Sequence, residues 1–187
     1  MKILITYALE DEKGDIQIPG NSVVYCCTGI GKVSTAISVY EALLNEKPDL
    51  VLNIGTSGTL NHRVGDILIC TAFLDRDLEK ISSYGVPFRL DFADDIFSKG
   101  FLKNHNVKYT VSTGDIFQTE ESESSVNADV YDMEAYACAQ VCRKMSLPFV
   151  SVKYVTDIIG QNSIKHWEDK LHEGRAGLEA FLRTVEF

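Results

Sequence analysis

Short apolar runs along the chain alternate with longer segments in which apolar residues recur every three or four positions. The apolar runs, bounded by turn-forming residues, predict buried strands at residues 2–7, 22–27, 49–54, 66–73, 107–112 and 149–155. The amphipathic segments predict helices at residues 33–45, 93–105, 134–145 and 163–187. This order predicts a three-layer α/β/α fold with a central, mostly parallel mixed sheet, formed by a single domain over residues 1–187.

Several segments lack a strand or helix pattern. The small residues 55–59, Gly-Thr-Ser-Gly-Thr, directly follow the third strand and are predicted to form a loop. Residues 74–91 mix charged residues with Gly and Pro and predict a long irregular excursion, and loops of that length are often functional. Residues 114–118 are predicted to be a loop at the end of the fifth strand, and the polar residues 119–125 a solvated loop or helix start.

The composition limits the possible partners. The net charge of −9 disfavours nucleic acid or an acidic membrane as the main partner, but it permits a nucleoside-sized ligand. No apolar run is long enough to cross a bilayer and no signal-peptide pattern opens the chain, so we expect a cytoplasmic protein. The five cysteines lack zinc or redox spacing, and their odd number argues against a closed disulfide framework. We expect no cofactor. We also expect no metal, because ligand spacing is missing among His62, His105, His166 and His172.

The chemistry of the chain is expected to centre on residues 130–157. A helix is predicted from Glu134, and it returns through Pro148 into a buried strand. Glu134 would lie in the first turn of that helix, and Asp157 just past the carboxyl end of the strand. Ligands of open α/β sheets bind outside the carboxyl ends of the strands, so both acids stand where a pocket is expected.

A third acid, Glu12, follows the first predicted strand. Taken singly, each acid is more often a solvated or helix-capping residue. Three converging carboxylates, however, suit a reaction that passes through a cation, such as cleavage of a bond to an anomeric carbon. In that reaction the leaving group needs a proton, water needs a base, and the sugar hydroxyls need an acceptor.

Two glycine-containing segments are weaker candidates for ligand binding. Residues 29–31, Gly-Ile-Gly, lie at a strand-to-helix turn but lack the third glycine of a dinucleotide fingerprint. A tight structural turn is therefore favoured there over a phosphate cradle, and an oxidoreductase built on it is a disfavoured alternative. The amides and hydroxyls of residues 55–58 could hold a ligand oxygen, or they could simply form a turn.

Six motifs occur in the order seen in one enzyme superfamily: Gly-Ile-Gly-Lys-Val at 29–33, Asn-Ile-Gly-Thr-Ser-Gly at 53–58, Gly-Asp-Ile at 65–67, Ser-Thr-Gly-Asp-Ile-Phe at 112–117, Asp-Met-Glu-Ala at 132–135 and Val-Thr-Asp at 155–157. Over nearly its whole length the chain resembles the purine nucleoside phosphorylase and nucleosidase superfamily, and most of all the 5'-methylthioadenosine/S-adenosylhomocysteine nucleosidases. The resemblance implies an N-ribosyl hydrolase that uses water to release adenine and the thioribose from 5'-methylthioadenosine or S-adenosylhomocysteine, and it implies a homodimer.

The same resemblance implies roles for individual residues. Asp157 would be the general acid at purine N7, and Glu12 would orient and activate the attacking water. Glu134 would accept hydrogen bonds from the ribose hydroxyls. The other substrate-binding residues would be Met133 beside the sugar, Thr56 at the ribose or water site, Phe117 stacked on the purine, Gln118 at the purine edge, and Lys153 where the nucleosidases have an arginine.

Water is favoured over phosphate as the nucleophile. The phosphorylases of the superfamily usually have an arginine where this chain has Asn53, and phosphate recognition normally needs arginine forks or clustered positive charge. Two alternatives within the superfamily stay open, a purine nucleoside phosphorylase and a futalosine-type hydrolase. A non-catalytic nucleoside-binding protein is an alternative of another class. In relatives the region that corresponds to residues 74–91 helps form the 5'-substituent pocket, so we expect the pocket to be lined by Tyr84, Val86, Pro87 and Phe88.

Overall fold

The computed structural model describes residues 1–102, 109–120, 127–161 and 163–187. Its strands are β1 (Lys2–Tyr7), β2 (Ser22–Cys27), β3 (Leu50–Thr59), β4 (Ile67–Asp75), β5 (Arg89–Asp91), β6 (Tyr109–Thr113), β7 (Val130–Asp132) and β8 (Phe149–Ile158). Its helices are α1 (Lys32–Glu46), α2 (Arg76–Glu79), α3 (Ala93–Phe97), α4 (Ala135–Lys144) and α5 (Ser163–Leu182). Two short 3₁₀ turns lie at Glu10–Glu12 and Ser82–Tyr84.

The strands form one mixed sheet that closes on itself at one side. β2, β1, β3 and β8 are parallel neighbours, and β8 then pairs antiparallel with β4. From β4 the order continues through β6 and β7, which returns to pair antiparallel with β3. The prediction of a mostly parallel mixed sheet is therefore confirmed, and the closure brings the ends of β3, β6, β7 and β8 together around one space.

Helices cover both faces of the sheet, which confirms the three-layer prediction. Ser151 and Tyr154 of β8 lie three positions apart and therefore point to opposite faces. A buried series of polar contacts leads from Ser151 to Cys138 of α4, and α4 packs against α1. Tyr154 instead packs against α5, where a Cβ on Gly177 would lie only 2.8 Å from its ring. Glycine at that position allows α5 to approach the sheet closely.

The predicted elements are largely present, but two boundaries next to the expected pocket were wrong. The predicted loop at residues 55–59 belongs to β3, because β8 pairs with it as far as Thr59 and β7 pairs with Gly58. Asp157 likewise lies within β8 rather than past its end. In both cases hydrogen-bonding partners from distant segments extend a strand beyond its apolar run.

The other differences concern short elements. The helix predicted at residues 93–105 ends as α3 at Phe97, followed by Gly100 and Leu102 with φ of 77° and 58°. Positive φ values at both residues interrupt a right-handed helix. Strand β7, with three residues, was too short to show a period and was missed. Parts of the predictions at residues 93–105, 107–112 and 119–125 lie outside the described residues.

The segment at residues 74–91 is less irregular than predicted. It contains the end of β4, the short helix α2 and strand β5, which pairs antiparallel with β4. Asp75 caps α2 by accepting hydrogen bonds from the backbone N–H groups of Asp77 and Leu78. Among the described residues, no helix combines the length and apolar character needed to cross a membrane.

Candidate active site

A cleft of about 640 Å³ opens where the carboxyl-terminal parts of β1, β3, β6, β7 and β8 meet. The cleft brings together seven of the eight residues that the sequence nominated, namely Glu12, Thr56, Phe117, Gln118, Met133, Glu134 and Asp157. It is also lined by residues that the sequence did not nominate, including Arg76, Tyr131 and Trp167. Lys153, the eighth nominated residue, is not among the lining residues. Tyr84, Val86, Pro87 and Phe88 do not line the cleft of a single chain either, and their part in a 5' pocket stays a prediction.

Glu12 is held by four hydrogen-bond donors at the end of β1. Its Oε2 accepts from the backbone N–H groups of Ala8 and Leu9, each at 3.2 Å. Its Oε1 accepts from the backbone N–H of Thr56 at 2.9 Å and from the Thr56 hydroxyl at 3.0 Å. Only 6% of Glu12 is exposed. The carboxylate is therefore fixed between β1 and β3 and faces the cleft.

Trp167, near the start of α5, completes this arrangement. Its indole N–H donates a 2.9 Å hydrogen bond to the hydroxyl oxygen of Thr56. Because the indole N–H can only donate, the Thr56 hydroxyl oxygen accepts a hydrogen bond from Trp167. The same hydroxyl group donates its hydrogen bond to Glu12. The Trp167 ring also meets Phe117 edge to face, with 6.0 Å between centroids. The sequence counted Trp167 only among the apolar positions of the last helix, although a buried indole N–H usually needs a partner.

Glu134 directly precedes α4, but its side chain does not cap that helix. Instead, Glu134 Oε1 accepts a 2.9 Å hydrogen bond from the backbone N–H of Gly31. Gly31 has φ of 91°, which explains the glycine in the turn before α1. Burial, followed by the charge of Asp132, raises the pKa of Glu134 to about 7, although Lys153 and the Gly31 N–H act in the opposite direction.

Asp132, which lines the cleft, forms a buried ion pair with Lys153, which does not line it. The distance from Lys153 Nζ to Asp132 Oδ2 is 2.8 Å, and the two side chains are 2% and 1% exposed. Asp132 also accepts hydrogen bonds from the Thr113 hydroxyl at 2.5 Å and from the backbone N–H of Ala135 at 2.9 Å. Asp132, rather than Glu134, therefore caps α4.

The lysine of this pair has an unusual electrostatic environment. Burial lowers the pKa of Lys153, but the negative charges of Asp132 and Glu134 outweigh burial and raise it to about 12. A Cβ on Gly55 would lie 3.4 Å from Lys153 Nζ and 3.2 Å from Glu12 Oε1, so the lysine ammonium and the Glu12 carboxylate both lie beside Gly55. Direct contact of Lys153 with a substrate stays a prediction.

Asp157 reaches the cleft through an irregularity in β8. Ser57 pairs with Val155 but Gly58 pairs with Asp157, so Thr156 is an extra residue in the ladder. Such β-bulges redirect side chains near active sites. The Thr156 hydroxyl lies 2.8 Å from Asp157 Oδ1, and a Cβ on Gly58 would lie 3.0 Å from Asp157 Oδ2. The bulge aims the carboxyl group, and the absence of a side chain on Gly58 leaves room for it.

Asn53 lies inside the protein and not in the cleft. Its Oδ1 accepts a 2.8 Å hydrogen bond from the Ser151 hydroxyl, and its Nδ2 donates to Thr6 Oγ1 at 3.3 Å. It is 1% exposed. Asn53 therefore stabilises contacts between β1, β3 and β8, and it presents no charge to an anion.

Comparisons with known proteins show which family the chain resembles. The sequence profile of the phosphorylase superfamily matches residues 13–185. A 5'-methylthioadenosine/S-adenosylhomocysteine nucleosidase of Bacillus thuringiensis (strain Al Hakam) is 32% identical over 190 aligned positions, which cover 90% of this chain and 82% of that protein.

Solved structures give a similar result. A 5'-methylthioadenosine/S-adenosylhomocysteine nucleosidase of Colwellia psychrerythraea 34H in complex with adenine is 25% identical, with a TM-score of 0.81 over 98% of this chain and 93% of that one. A futalosine hydrolase mutant of Helicobacter pylori has a TM-score of 0.78 at 18% identity, over 97% of this chain and 96% of that one. The second likeness concerns the fold alone.

Proposed function

Because the chain belongs to the phosphorylase superfamily, we propose that it hydrolyses the N-glycosidic bond of a purine nucleoside, with 5'-methylthioadenosine or S-adenosylhomocysteine as substrate and adenine and the thioribose as products. The observation that carries this proposal is the meeting of Glu12, Glu134 and Asp157 in one cleft. Their arrangement suits the three needs of the reaction: a proton for the base, an acceptor for the sugar and a base for water.

Departure of the purine is assigned to one side of the cleft. Asp157 protonates or hydrogen-bonds purine N7, so that electrons from the broken bond can stay on the base. Phe117 stacks on the purine ring, and the backbone of Gln118 reads its edge. The edge-to-face contact of Phe117 with Trp167 supports this assignment, because it restricts the orientation of the stacking ring.

The sugar is assigned to the acidic side of the cleft. Glu134 accepts hydrogen bonds from the ribose hydroxyls beside Met133, and its negative charge stabilises the oxocarbenium-like transition state. Glu134 must be ionised for this role. With a pKa raised to about 7, it is about half ionised at neutral pH, so activity should fall on the acidic side of neutrality.

Water is assigned to Glu12 and Thr56. Four donors fix the Glu12 carboxylate, and its attachment to Thr56 brings it beside β3 at the floor of the cleft. A carboxylate so held can orient a water molecule and accept its proton as the bond to carbon forms. The Thr56 hydroxyl, which is bonded to Glu12, is assigned to the same water or to the ribose.

Hydrolysis is favoured over phosphorolysis because the nearby cations are already engaged. The guanidinium of Arg76 donates to four backbone carbonyl groups, and Lys153 pairs with Asp132. Asn53 is uncharged and buried. A phosphorylase needs strong donors for a bound phosphate, and in the described part of the cleft these groups are not available for it.

The function is tested with a panel of nucleosides, 5'-methylthioadenosine, S-adenosylhomocysteine, adenosine, inosine and futalosine, with free base as the readout. We expect adenine from the two thioether nucleosides, and a large loss in the Asp157→Asn variant. Release of base from futalosine alone would favour the alternative hydrolase. Nucleoside binding without release of any base would identify a non-catalytic binding protein.

The homodimer is also a proposal, and an exposed apolar stripe supports it. Along α1, side chains at helical spacing are about half or more exposed, namely Val33 at 71%, Ile37 at 58%, Tyr40 at 49% and Leu44 at 50%. Ile30, which precedes them, is 49% exposed and also lines the cleft. A second copy seated on this stripe would border the cleft. Light scattering should show a dimer for the wild type and a monomer for Ile37→Glu; a wild-type monomer would contradict the proposal.

Action in the cytoplasm stays a prediction.

A further inference from the structure

Arg76, the first residue of α2, points into the protein beside the cleft and is 7% exposed. Its guanidinium donates four hydrogen bonds, all to backbone carbonyl groups. Nη1 bonds to the carbonyls of Ser112 at 2.7 Å and Asp132 at 2.9 Å. Nη2 bonds to those of Gly114 at 3.1 Å and Ile116 at 2.6 Å. No pattern in the sequence marks this role, because the acceptors belong to the main chain.

The four carbonyl groups belong to the two segments that the proposed function uses for the nucleoside. Three of them lie at residues 112–116, directly before Phe117 and Gln118. The fourth belongs to Asp132, directly before Met133 and Glu134. One side chain therefore joins the purine loop, residues 114–118, to the ribose segment, residues 132–134.

We propose that Arg76 is a positioning residue that fixes the purine loop against the ribose segment and thereby sets the affinity of the cleft for the purine base. The inference rests on the proposed function, since that function assigns the base to Phe117 and Gln118. Arg76 acts through these residues and makes no step of the reaction itself.

Arginine is suited to this task and lysine is not. The guanidinium offers five N–H donors in a rigid plane, whereas an ammonium group offers three donors from a single point. Burial lowers the pKa of Arg76, while the charges of Asp132, Asp77 and Asp75 oppose this effect, and an arginine stays protonated in proteins. Four carbonyl partners then compensate the buried charge.

Gly114 leaves the space that the Arg76 side chain occupies beside the purine loop. A Cβ at position 114 would lie 2.6 Å from Arg76 Nε and 2.8 Å from Arg76 Cζ, closer than non-bonded atoms allow. Glycine therefore lets the Arg76 side chain approach the loop closely. The base of α2 is fixed in turn, because Lys32 pairs with Asp75 at 3.1 Å and with Asp77 at 2.7 Å.

The test compares Arg76→Lys and Gly114→Ala with the wild type. Adenine affinity is measured by fluorescence of Trp167, the one tryptophan of the chain, which lies 6.0 Å from Phe117 between ring centroids. Loss of about 1.4 kcal/mol of hydrogen bonding corresponds to a tenfold change, so we expect the adenine dissociation constant and KM to rise about tenfold or more. We expect kcat to fall less than KM rises, because the loop holds the base in ground and transition state alike.

Arg143→Lys is the matched control, since Arg143 pairs with Asp95 and stacks on Phe92, none of which lines the cleft. It should leave adenine affinity unchanged. If Arg76→Lys does not fold, Gly114→Ala still tests the inference, because it keeps the charge and displaces the guanidinium. Wild-type adenine affinity in Gly114→Ala, or a fall in kcat with KM and adenine affinity unchanged in either variant, would overturn the inference. A wild type that cleaves no nucleoside, but whose adenine affinity falls in Arg76→Lys and Gly114→Ala, would instead overturn the proposed function alone.

Discussion

Replacement of Lys153 by methionine tests the buried electrostatics behind the cleft. Lys153 Nζ lies 2.8 Å from Asp132 Oδ2, and the exposed fraction of each side chain is 2% or less. Methionine preserves much of the side-chain volume but leaves the Asp132 carboxylate without its cation. Breaking one partner from a buried pair costs about 3–5 kcal/mol, which for a chain of this size lowers Tm by roughly 10 °C.

The same substitution should change the pH dependence of activity. Lys153 lowers the pKa of Glu134, which burial and Asp132 raise to about 7. An opposite charge at close range shifts a carboxyl pKa by about 1–3 units, so without the lysine Glu134 should ionise at least about one pH unit higher. If the ionised form of Glu134 holds the ribose, activity at neutral pH should fall about fivefold or more and recover as the pH rises.

The assay is adenine release from 5'-methylthioadenosine, measured as kcat/KM from about pH 5.5 to about pH 9.5, together with thermal unfolding. Lys144→Met, on the exposed side of α4, is the control for loss of a lysine. Lys153→Arg keeps the positive charge and should keep the acidic limb near its wild-type position. The reasoning would be refuted if Lys153→Met had the same Tm as the wild type and lost kcat/KM on the acidic side at the same pH.

Three further predictions concern the acids and their surroundings. Glu12→Gln and Asp157→Asn should each reduce kcat by at least about a hundredfold with the fold intact, as seen by circular dichroism; near-wild-type turnover in either would remove the role assigned to it. In Gly58→Ala the added Cβ would lie 3.0 Å from Asp157 Oδ2, so kcat should fall about tenfold to a hundredfold while KM changes less; unchanged kcat would show that Asp157 needs no such room. Glu134 has a folded pKa of about 7 above an ordinary value of 4.5, so the folded state holds a proton that the unfolded state releases in this interval. The unfolding free energy of the wild type, measured by chemical denaturation, should therefore decline by about 3 kcal/mol more than that of Glu134→Gln as the pH rises from about 4.5 to about 7. The same pH dependence in both proteins would contradict the raised pKa of Glu134.

The sequence predicted the framework of the fold where local pattern dominates. The apolar run at residues 2–7 is strand β1, and the apolar periodicity after Gly31 is helix α1. Residues 55–59 were assigned wrongly because glycine, serine and threonine favour loops, whereas here pairing with β7 and β8 satisfies the backbone of the segment. The partners lie far along the chain, since Gly58 pairs with Tyr131 and with Asp157.

Some parts of the candidate site were predicted from the sequence, and others were visible only in the structure. Glu12, Glu134 and Asp157 were nominated by motif and position, and the structure brings them into one cleft. Arg76 was missed because its partners are main-chain carbonyl groups, which carry no side-chain signal. The extra residue at Thr156 that aims Asp157 was missed as well, since a β-bulge appears only when two paired strands are compared.

The central claim is that this cleft uses water to release the base. It is tested most directly by adenine release from 5'-methylthioadenosine in phosphate-free buffer and in excess phosphate, with the sugar product identified by mass spectrometry. We predict equal rates in both conditions and free methylthioribose as the product. Release that requires phosphate, with a pentose 1-phosphate as the product, would contradict the claim.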